Sequence, residues 1–200
     1  MSLPLGAAYR PPCESSGGRR DLDAYWTPLE VARMCLGALD LPTPPKVILE
    51  PSCGGGSFLR ACRERWPSST PWLIGVDVNP HATGLRLADA GYCMDWLEVR
   101  RFPPGPPDLI IGNPPYCDAE AHVRNALEVV ALGGLVGMLL RLAFLEGQGR
   151  RSFWHLGQLR SVHVLSERPS FTGGGTDACA YGWFCWESGY RGDPRLGWLP

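Results

Sequence analysis

Short apolar runs alternate along the chain with segments in which apolar residues recur at helical spacing. Six runs predict strands, at 46–51, 72–78, 108–116, 133–142, 161–167 and 180–186. Four segments predict helices, at 28–39, 57–66, 81–91 and 118–132, with Thr27 as N-cap and Pro28 as first residue of the first helix. Continuous apolar strands separated by helices are typical of a parallel sheet covered on both faces. The pattern predicts one doubly wound α/β domain with ligand sites at the carboxyl ends of its strands.

The two ends of the chain lie outside this alternation. Residues 1–22 are rich in Pro, Gly, Ser and Arg without periodicity, which predicts a flexible N-terminal arm. We expect the folded domain to span 23–187 and residues 188–200 to form a C-terminal tail. No internal repeat and no second domain are visible in the sequence.

Composition and charge narrow the classes of function. Apolar residues make up 44% and charged residues 20% of the 200 residues, a balance typical of a globular protein with a buried core. The formal net charge of −1 argues against a general polyanion binder. Of the 19 basic residues only Lys46 is a lysine. Arginine suits bidentate contacts to phosphate or carboxylate, although a GC-rich genome would give the same bias.

Cysteine spacing and the apolar runs indicate whether the protein binds a metal, where it is located and whether it contacts a membrane. The eight cysteines include no C-x-x-C pair, so we expect no metal site. The first residues do not match a secretory signal peptide. The longest apolar run, 131–145, is interrupted by Arg141 and is too short to span a bilayer. These features predict a cytoplasmic protein with reduced thiols and no membrane contact.

Two sequences at predicted strand ends indicate a nucleotide-like ligand. EPSCGGGSF, at 50–58, follows the first strand, and its consecutive glycines allow the backbone to turn sharply beside a ligand. The turn lacks the Gly-Lys-Ser/Thr ending of a P-loop, which disfavours nucleoside triphosphate hydrolysis. Asp77 ends the second strand about 20 residues further on, where a carboxylate can accept hydrogen bonds from ribose hydroxyls. Together they predict an adenosine-containing cofactor.

The sequence NPPY, formed by Asn113, Pro114, Pro115 and Tyr116, ends the third apolar run. An exocyclic amino group on a purine is a poor nucleophile, because its lone pair is delocalised into the ring. The Asn113 side-chain oxygen and the Pro114 carbonyl can accept its hydrogens and favour the tetrahedral nitrogen that attacks a methyl group. The prolines hold these acceptors, and Tyr116 can stack on the ring. A proline-stiffened turn alone would not explain the asparagine and the tyrosine.

These motifs, in this order and with MDWL at 94–97, resemble the S-adenosylmethionine-dependent amino-methyltransferases of the adenine-N6 DNA type. The resemblance covers about residues 24–187. YWTP, at 25–28, is similar to a motif that contacts the methionine end of the cofactor, and 144–154 and 168–186 resemble the C-terminal part of small, phage-type members. The resemblance implies a single Rossmann-like class I methyltransferase domain. Its mostly parallel, seven-stranded sheet would have an antiparallel strand near the C-terminus and helices on both faces.

The resemblance also implies which residues bind S-adenosylmethionine, whose product is S-adenosylhomocysteine. The methionine portion would be held by Tyr25, Thr27 and the turn after the first strand, through Glu50, Pro51, Ser52, Cys53, Gly54 and Gly56. Asp77 would bind the ribose, and Val78 would pack on the cofactor's adenine. Asp95 would accept a hydrogen bond from the amino group of that adenine, with Trp96 nearby. Asn113 would lie beside the cofactor as well.

The target base would be engaged by the same NPPY sequence: Asn113, Pro114, Pro115 and Tyr116. Phe171 would stack on the opposite face of the base after it leaves the helix. Trp96 and Phe171 are also compatible with a role as core aromatics. The candidate surface for the DNA backbone is 141–168, with phosphate contacts from Arg141, Arg150, Arg151 and Arg168, and with Arg160 in the same segment. A solvated helix face is the alternative interpretation of these arginines.

The predicted function is methyl transfer from S-adenosylmethionine to the N6 amino group of adenine in DNA. Only 54 residues separate Phe58 from Asn113 and only 14 follow Trp186, which leaves no room for a separate target-recognition domain. Sequence preference would therefore be weak or come from loops, a homodimer or a recognition partner. The alternatives are the same chemistry on RNA adenine, cytosine N4 or a protein glutamine amide, or a cofactor-binding subunit that needs a partner.

Overall fold

The computed structural model describes residues 26–103, 105–171 and 178–200. The predicted arm at 1–22 and Tyr25 lie outside these ranges. The strands in them are β1 (Val47–Glu50), β2 (Trp72–Asp77), β3 (Ala90–Cys93), β4 (Leu109–Gly112), β5 (Leu135–Arg141), β6 (Leu159–Leu165), β7 (Tyr181–Glu187) and β8 (Arg195–Leu199). The α-helices are α1 (Leu29–Gly37), α2 (Ser57–Arg65), α3 (Gly84–Leu87), α4 (Ala119–Val129) and α5 (Arg151–Trp154).

The described strands form one sheet in the order β3-β2-β1-β4-β5-β7-β6-β8. β1 to β5 run parallel to one another, β7 pairs antiparallel with both β5 and β6, and β8 runs parallel to β6. This confirms the predicted mostly parallel sheet with an antiparallel strand near the C-terminus. The strand order reverses between β1 and β4, which is where an open α/β sheet leaves a crevice for ligands.

Both faces of the sheet are covered, because successive side chains of a strand point to opposite faces. Ile48 and Leu109 face the layer of α1 and α2, and their neighbours Leu49 and Ile110 face the layer of α4. All four side chains are fully buried. Burial on both faces explains why these strands are continuous apolar runs rather than alternating patterns.

The sheet has eight strands in the described ranges, and the predicted number of seven is wrong. β3 lies at the end of the segment 81–91 that was predicted as a helix, where the helix is the single turn α3. Gly91 pairs with Gly75 in the sheet instead of ending a helix, and an added Cβ there would collide with the Leu85 carbonyl oxygen. β8 lies in the predicted C-terminal tail and extends the sheet beyond β6.

Gly137, in β5, is predicted to tolerate no larger side chain. An added Cβ would collide with the indole of Trp183, which is fully buried and stacks on Phe58 at a ring-centroid distance of 5.5 Å. We expect Gly137→Ala to lower the free energy of unfolding by about 1–3 kcal/mol, since the indole has no free space to enter. Gly37→Ala is the matched control, because nothing lies within 4 Å of its added Cβ. Urea unfolding of both variants measures the difference, and equal midpoints would contradict the prediction.

Candidate functional site

Three of the predicted site residues lie at the carboxyl ends of adjacent strands. Glu50 ends β1, Asp77 ends β2, and Asn113 directly follows β4. β1 pairs with β2 on one side and with β4 on the other, so these ends meet at one edge of the sheet. The structure therefore brings the glycine-rich turn, Asp77 and the NPPY sequence together at this edge, where an open α/β sheet leaves a crevice for ligands.

The turn that joins β1 to α2 is shaped by glycines and by Asp77. Gly54 and Gly56 have φ values of 40° and 76°, which side chains rarely adopt. The Gly54 N–H donates to Asp77 Oδ2 at 2.7 Å, and the Asn79 N–H donates to Asp77 Oδ1 at 2.8 Å. Partial burial raises the pKa of Asp77, while these N–H groups act in the opposite direction. Asp77 thus holds the turn in a fixed shape, and the Gly84 N–H supports it by donating to the Gly54 carbonyl at 2.8 Å.

Glu50 is a buried carboxyl group with one unsatisfied oxygen. Its side chain is only 3% exposed, and Oε2 has no hydrogen-bond partner within the described ranges. Burial raises the pKa of Glu50 well above its usual range, the nearby Asp77 charge adds to this, and the Leu59 N–H opposes it. A bound cation at this position would pair with the carboxylate and favour its charged form.

Asn113 connects the NPPY sequence to the segment before α1. Its Nδ2 donates to Thr27 Oγ1 at 3.1 Å, although 86 residues separate the two in the chain. Thr27 is buried, and the predicted capping role for it is wrong, because α1 begins at Leu29 with Pro28 at the cap position and no side-chain cap. The Thr27 hydroxyl is occupied by Asn113 instead. The Oδ1 atom of Asn113 is buried without a partner in the described ranges, so it is an unsatisfied acceptor next to the carboxyl end of β4.

An aromatic group lies beyond Asn113. Tyr116 contacts Tyr181 at a ring-centroid distance of 5.7 Å, and Phe171 packs edge-on against Tyr181 at 5.1 Å. The guanidinium of Arg141 lies 4.8 Å from the centre of the Tyr116 ring. Burial raises the pKa of Tyr116, and the Tyr181 hydroxyl adds to this effect. Both predicted stacking residues, Tyr116 and Phe171, therefore touch Tyr181. Of the two prolines between Asn113 and Tyr116, Pro114 is buried and Pro115 is exposed.

The predicted adenine-side residues occupy the next strand ends. Val78 follows β2 and is 37% exposed. Asp95 caps a 3-10 turn, Trp96–Glu98, by accepting the Leu97 N–H at 2.8 Å through Oδ1. Trp96 is 2% exposed, and its Nε1 donates to the His122 carbonyl at 3.3 Å. Val78 is exposed and Asp95 is half-buried, whereas Trp96 belongs to the core on the α4 side of the sheet.

Proteins similar in sequence are methyltransferases. The type II methyltransferase M.TthHB8I of Thermus thermophilus is 36% identical over 109 residues, which cover 54% of this chain and 24% of that protein. The type II methyltransferase M.CvrRI of Paramecium bursaria Chlorella virus XZ-6E is 33% identical over 118 residues, which cover 56% of this chain and 29% of that protein. The matched regions thus make up only about a quarter of the length of these relatives. No protein-family model matches the chain.

Solved structures with a similar fold include methyltransferases. A class I S-adenosylmethionine-dependent methyltransferase candidate of Listeria monocytogenes superposes with a TM-score of 0.65 at 15% identity, covering 86% of this chain and 64% of that one. A methyltransferase subunit of the type I restriction-modification system of Streptococcus thermophilus superposes with a TM-score of 0.64 at 16% identity, covering 82% and 45%. The fold is that of a class I methyltransferase. The predicted resemblance to S-adenosylmethionine-dependent methyltransferases is confirmed.

The arginines predicted to contact phosphate have different surroundings on this methyltransferase fold. Arg141 covers Tyr116, and Arg150 covers the Phe144 ring at 4.8 Å and donates to the Glu146 carbonyl at 2.7 Å. Arg160 forms ion pairs with Asp40 at 2.8 Å and Glu187 at 3.0 Å. Arg151 and Arg168 are exposed. Only these last two present their charge mainly to solvent.

Two polar residues near the candidate site were missed by the sequence analysis. Tyr181 begins β7 and supports both Tyr116 and Phe171. His122 is buried on α4 and lies 3.3 Å from the Ser52 hydroxyl. The available signal was that His122 and Asn125 fall among the apolar positions of the predicted helix 118–132, where polar residues need buried partners.

Three further features concern metal binding, membrane spans and cysteines. Among the described residues no group of three or more His, Cys, Asp or Glu lies together as a metal site. None of the helices in those ranges is long and apolar enough to cross a membrane. Cys35, Cys53, Cys62, Cys93 and Cys185 are free thiols.

Proposed function

We propose that the protein transfers a methyl group from S-adenosylmethionine to the N6 amino group of adenine in DNA. The observation that carries this proposal is the buried Asn113 Oδ1, which lacks a partner in the described ranges and lies at the same sheet edge as the Glu50 turn. A buried acceptor without a donor is costly, so it is retained where a ligand supplies the donor. The similarity to type II methyltransferases supports the reaction class.

The residues at the crevice fit S-adenosylmethionine. The unsatisfied Glu50 Oε2 suits the ammonium group of its methionine portion. The glycine-rich turn lets the backbone approach the ligand closely, and Asp77 keeps lone pairs for ribose hydroxyls although each oxygen already accepts one N–H. The exposed Val78 offers a surface for the adenine ring. When bound there, S-adenosylmethionine supplies a methyl group made electrophilic by its sulfonium centre.

The chain's own residues would make the amino nitrogen reactive. Asn113 Oδ1 and the Pro114 carbonyl accept its two hydrogens, which draws electron density onto the nitrogen and favours its tetrahedral form. The nitrogen would accept the methyl group that S-adenosylmethionine supplies, with the cofactor's sulfur as the leaving group. The nitrogen then releases a proton to solvent, so no strong base is needed. The Thr27 hydroxyl holds the Asn113 amide so that Oδ1 keeps its direction.

The target base would stack on the Tyr116 ring. Arg141 covers one face of this ring, so the base uses the other face. A base reaches such a pocket only outside the duplex stack, which costs a few kcal/mol in double-stranded DNA and less in single strands. Phe171 would stack on the opposite face of the base, since it contacts the same Tyr181 ring as Tyr116 does.

The test is expression in a host without adenine methylation. Wild type and Asn113→Ala are produced to equal soluble levels, and methylated nucleosides in DNA and RNA are measured by mass spectrometry. We expect N6-methyladenine in DNA with wild type only. Methylation of RNA adenine or of cytosine N4 would support the proposed reaction but refute adenine in DNA as its substrate. No methylated base in either polymer, from protein that binds S-adenosylhomocysteine, would refute the nucleic-acid substrate and direct the search to glutamine amides or a partner subunit.

Binding of DNA phosphates is expected to depend on Arg151 and Arg168. Both are exposed, whereas Arg141 and Arg150 lie against aromatic rings. A plot of the logarithm of the DNA association constant against the logarithm of salt concentration has a negative slope. The double variant Arg151→Ala/Arg168→Ala should make this slope less steep by about 1.8, which is about 0.9 for each lost phosphate contact in duplex DNA. Fluorescence anisotropy at several salt concentrations measures this slope. Arg191→Ala, exposed between β7 and β8, is the control, and an equal slope change there would contradict the assignment.

A further inference from the structure

His122 joins two turns of the proposed active site. Its side chain lies on α4 and is only 6% exposed. Its Nδ1 lies 3.1 Å from the carbonyl oxygen of Asp118, which ends the 3-10 turn that begins at Tyr116. Its Nε2 lies 3.3 Å from the Ser52 hydroxyl, in the turn between β1 and α2. One side chain therefore touches both the target-base turn and the cofactor turn.

The hydrogen-bond partners determine where the ring carries its proton. A carbonyl oxygen only accepts, so the Asp118 contact requires a hydrogen on Nδ1. Burial lowers the pKa of His122, while the hydrogen bond to the Asp118 backbone and then the Asp118 and Asp95 carboxylates act in the opposite direction. A neutral ring with its hydrogen on Nδ1 presents a lone pair at Nε2. A hydrogen bond between the two side chains then requires the Ser52 hydroxyl to donate to the ring.

Ser52 has a competing acceptor in its own turn. Its Oγ lies 2.7 Å from the Pro51 carbonyl oxygen, and a hydroxyl has only one hydrogen to donate. The ring nitrogen and the Pro51 carbonyl therefore compete for that hydrogen. When the hydrogen bond from Ser52 to the His122 ring forms, it fixes the orientation of the Ser52 side chain toward α4.

We infer that His122 is a positioning residue, which fixes the Ser52 hydroxyl and thereby holds the cofactor turn at a set distance from the turn that carries Tyr116. The inference rests on the proposed function, since it assigns the two turns to the two reactants. A fixed separation matters because methyl transfer requires the amino nitrogen and the methyl carbon to meet in line, and small misplacements lower rates strongly. His122 touches neither reactant in this assignment.

Two amide substitutions separate the contacts of the ring. Asparagine places an amide nitrogen near the position of Nδ1, so His122→Asn keeps the Asp118 contact and loses Ser52. Glutamine reaches the position of Nε2, so His122→Gln keeps the Ser52 contact and loses Asp118. We expect His122→Gln to bind S-adenosylhomocysteine nearly as wild type does, and His122→Asn and Ser52→Ala to bind it about three- to tenfold more weakly. Isothermal titration calorimetry measures these affinities.

Two further variants make the result specific. Ser52→Ala combined with His122→Asn should bind no more weakly than either single variant, because both remove the same contact. Val123→Ala, at the neighbouring fully buried position of α4, should lower stability and leave the affinity unchanged. Equal losses for His122→Asn and His122→Gln, or additive losses in the double variant, would overturn the inference and leave a purely structural histidine.

An NMR measurement on the ligand-free protein tests the role of His122 independently of the proposed function. The ¹⁵N chemical shifts of the His122 ring should report a hydrogen on Nδ1, and Ser52→Ala should shift the Nε2 resonance. An unchanged Nε2 resonance would refute the Ser52 contact. Wild-type protein that binds no S-adenosylhomocysteine, with the Nε2 shift as expected, would refute the proposed function and with it the assignment of the two turns.

Discussion

Replacing Asn113 with alanine is expected to lower kcat for methyl transfer about a hundred- to a thousandfold. The substitution removes the buried Oδ1 acceptor, whose interaction with the amino group strengthens as the nitrogen becomes tetrahedral. Affinity for S-adenosylhomocysteine should fall far less, because Glu50 and the turn 51–56 remain. Single-turnover rates on adenine-containing DNA and calorimetry with S-adenosylhomocysteine measure the two effects separately.

Thr27→Val is the matched variant for this prediction. It leaves the Asn113 side chain in place and removes only the hydroxyl that accepts from Nδ2 at 3.1 Å. The amide can then turn and misdirect Oδ1, so we expect kcat to fall about tenfold, well short of the alanine effect. Equal kcat for wild type and Asn113→Ala would refute the role of Oδ1. A loss of cofactor affinity as large as the loss in kcat would instead assign Asn113 to cofactor binding.

Most of the strands that the sequence predicts are buried on both faces of the sheet. β1, β2, β4 and β5 are covered on both faces, so their residues form continuous apolar runs that a sequence displays directly. β3 is an edge strand of four residues, and its small and polar residues continue the apparent helix before it. β8 is also an edge strand, and its exposed Leu196 and Trp198 are flanked by prolines that are typical of a tail. Edge strands lack the burial that makes a strand visible.

The site was predictable where strand ends determine position. Glu50, Asp77 and Asn113 could be brought together in advance because parallel strands present their carboxyl ends at one edge. Side-chain partners could not be foreseen in the same way. Arg141 and Arg150 lie against the faces of Tyr116 and Phe144, an attraction that depends on tertiary contacts.

Contacts between distant segments account for the remaining differences. Thr27 accepts from Asn113 instead of capping α1, and His122 on α4 contacts Ser52, 70 residues earlier in the chain. A local pattern identifies which residues are polar, but not which distant group satisfies them. The residues that connect motifs are therefore harder to predict than the motifs themselves.

Glu50→Gln is expected to change stability and ligand affinity in opposite directions. In the ligand-free protein, burial raises the pKa of Glu50 above its unfolded value, so the native state binds this proton more tightly. That contribution to stability is full at acidic pH and is lost as pH rises through the raised pKa. Glutamine does not ionise and avoids this loss. We therefore expect the variant to unfold at higher urea concentration than wild type at neutral pH, with a smaller difference at pH 4.

The same substitution removes the charge proposed to pair with the ammonium group of the cofactor. Affinity for S-adenosylhomocysteine should fall roughly ten- to a hundredfold, the usual range for a hydrogen bond to a charged group. Glu64→Gln is the control, because this exposed α2 carboxylate pairs with Arg33 at 2.7 Å, and its loss should leave affinity unchanged. A Glu50→Gln variant with unchanged affinity would refute the ammonium contact. If the carboxylate served stability alone, its replacement would destabilise the protein. If it serves a ligand, its replacement stabilises the protein and weakens binding, because the cost of burying the charge is recovered only in the complex.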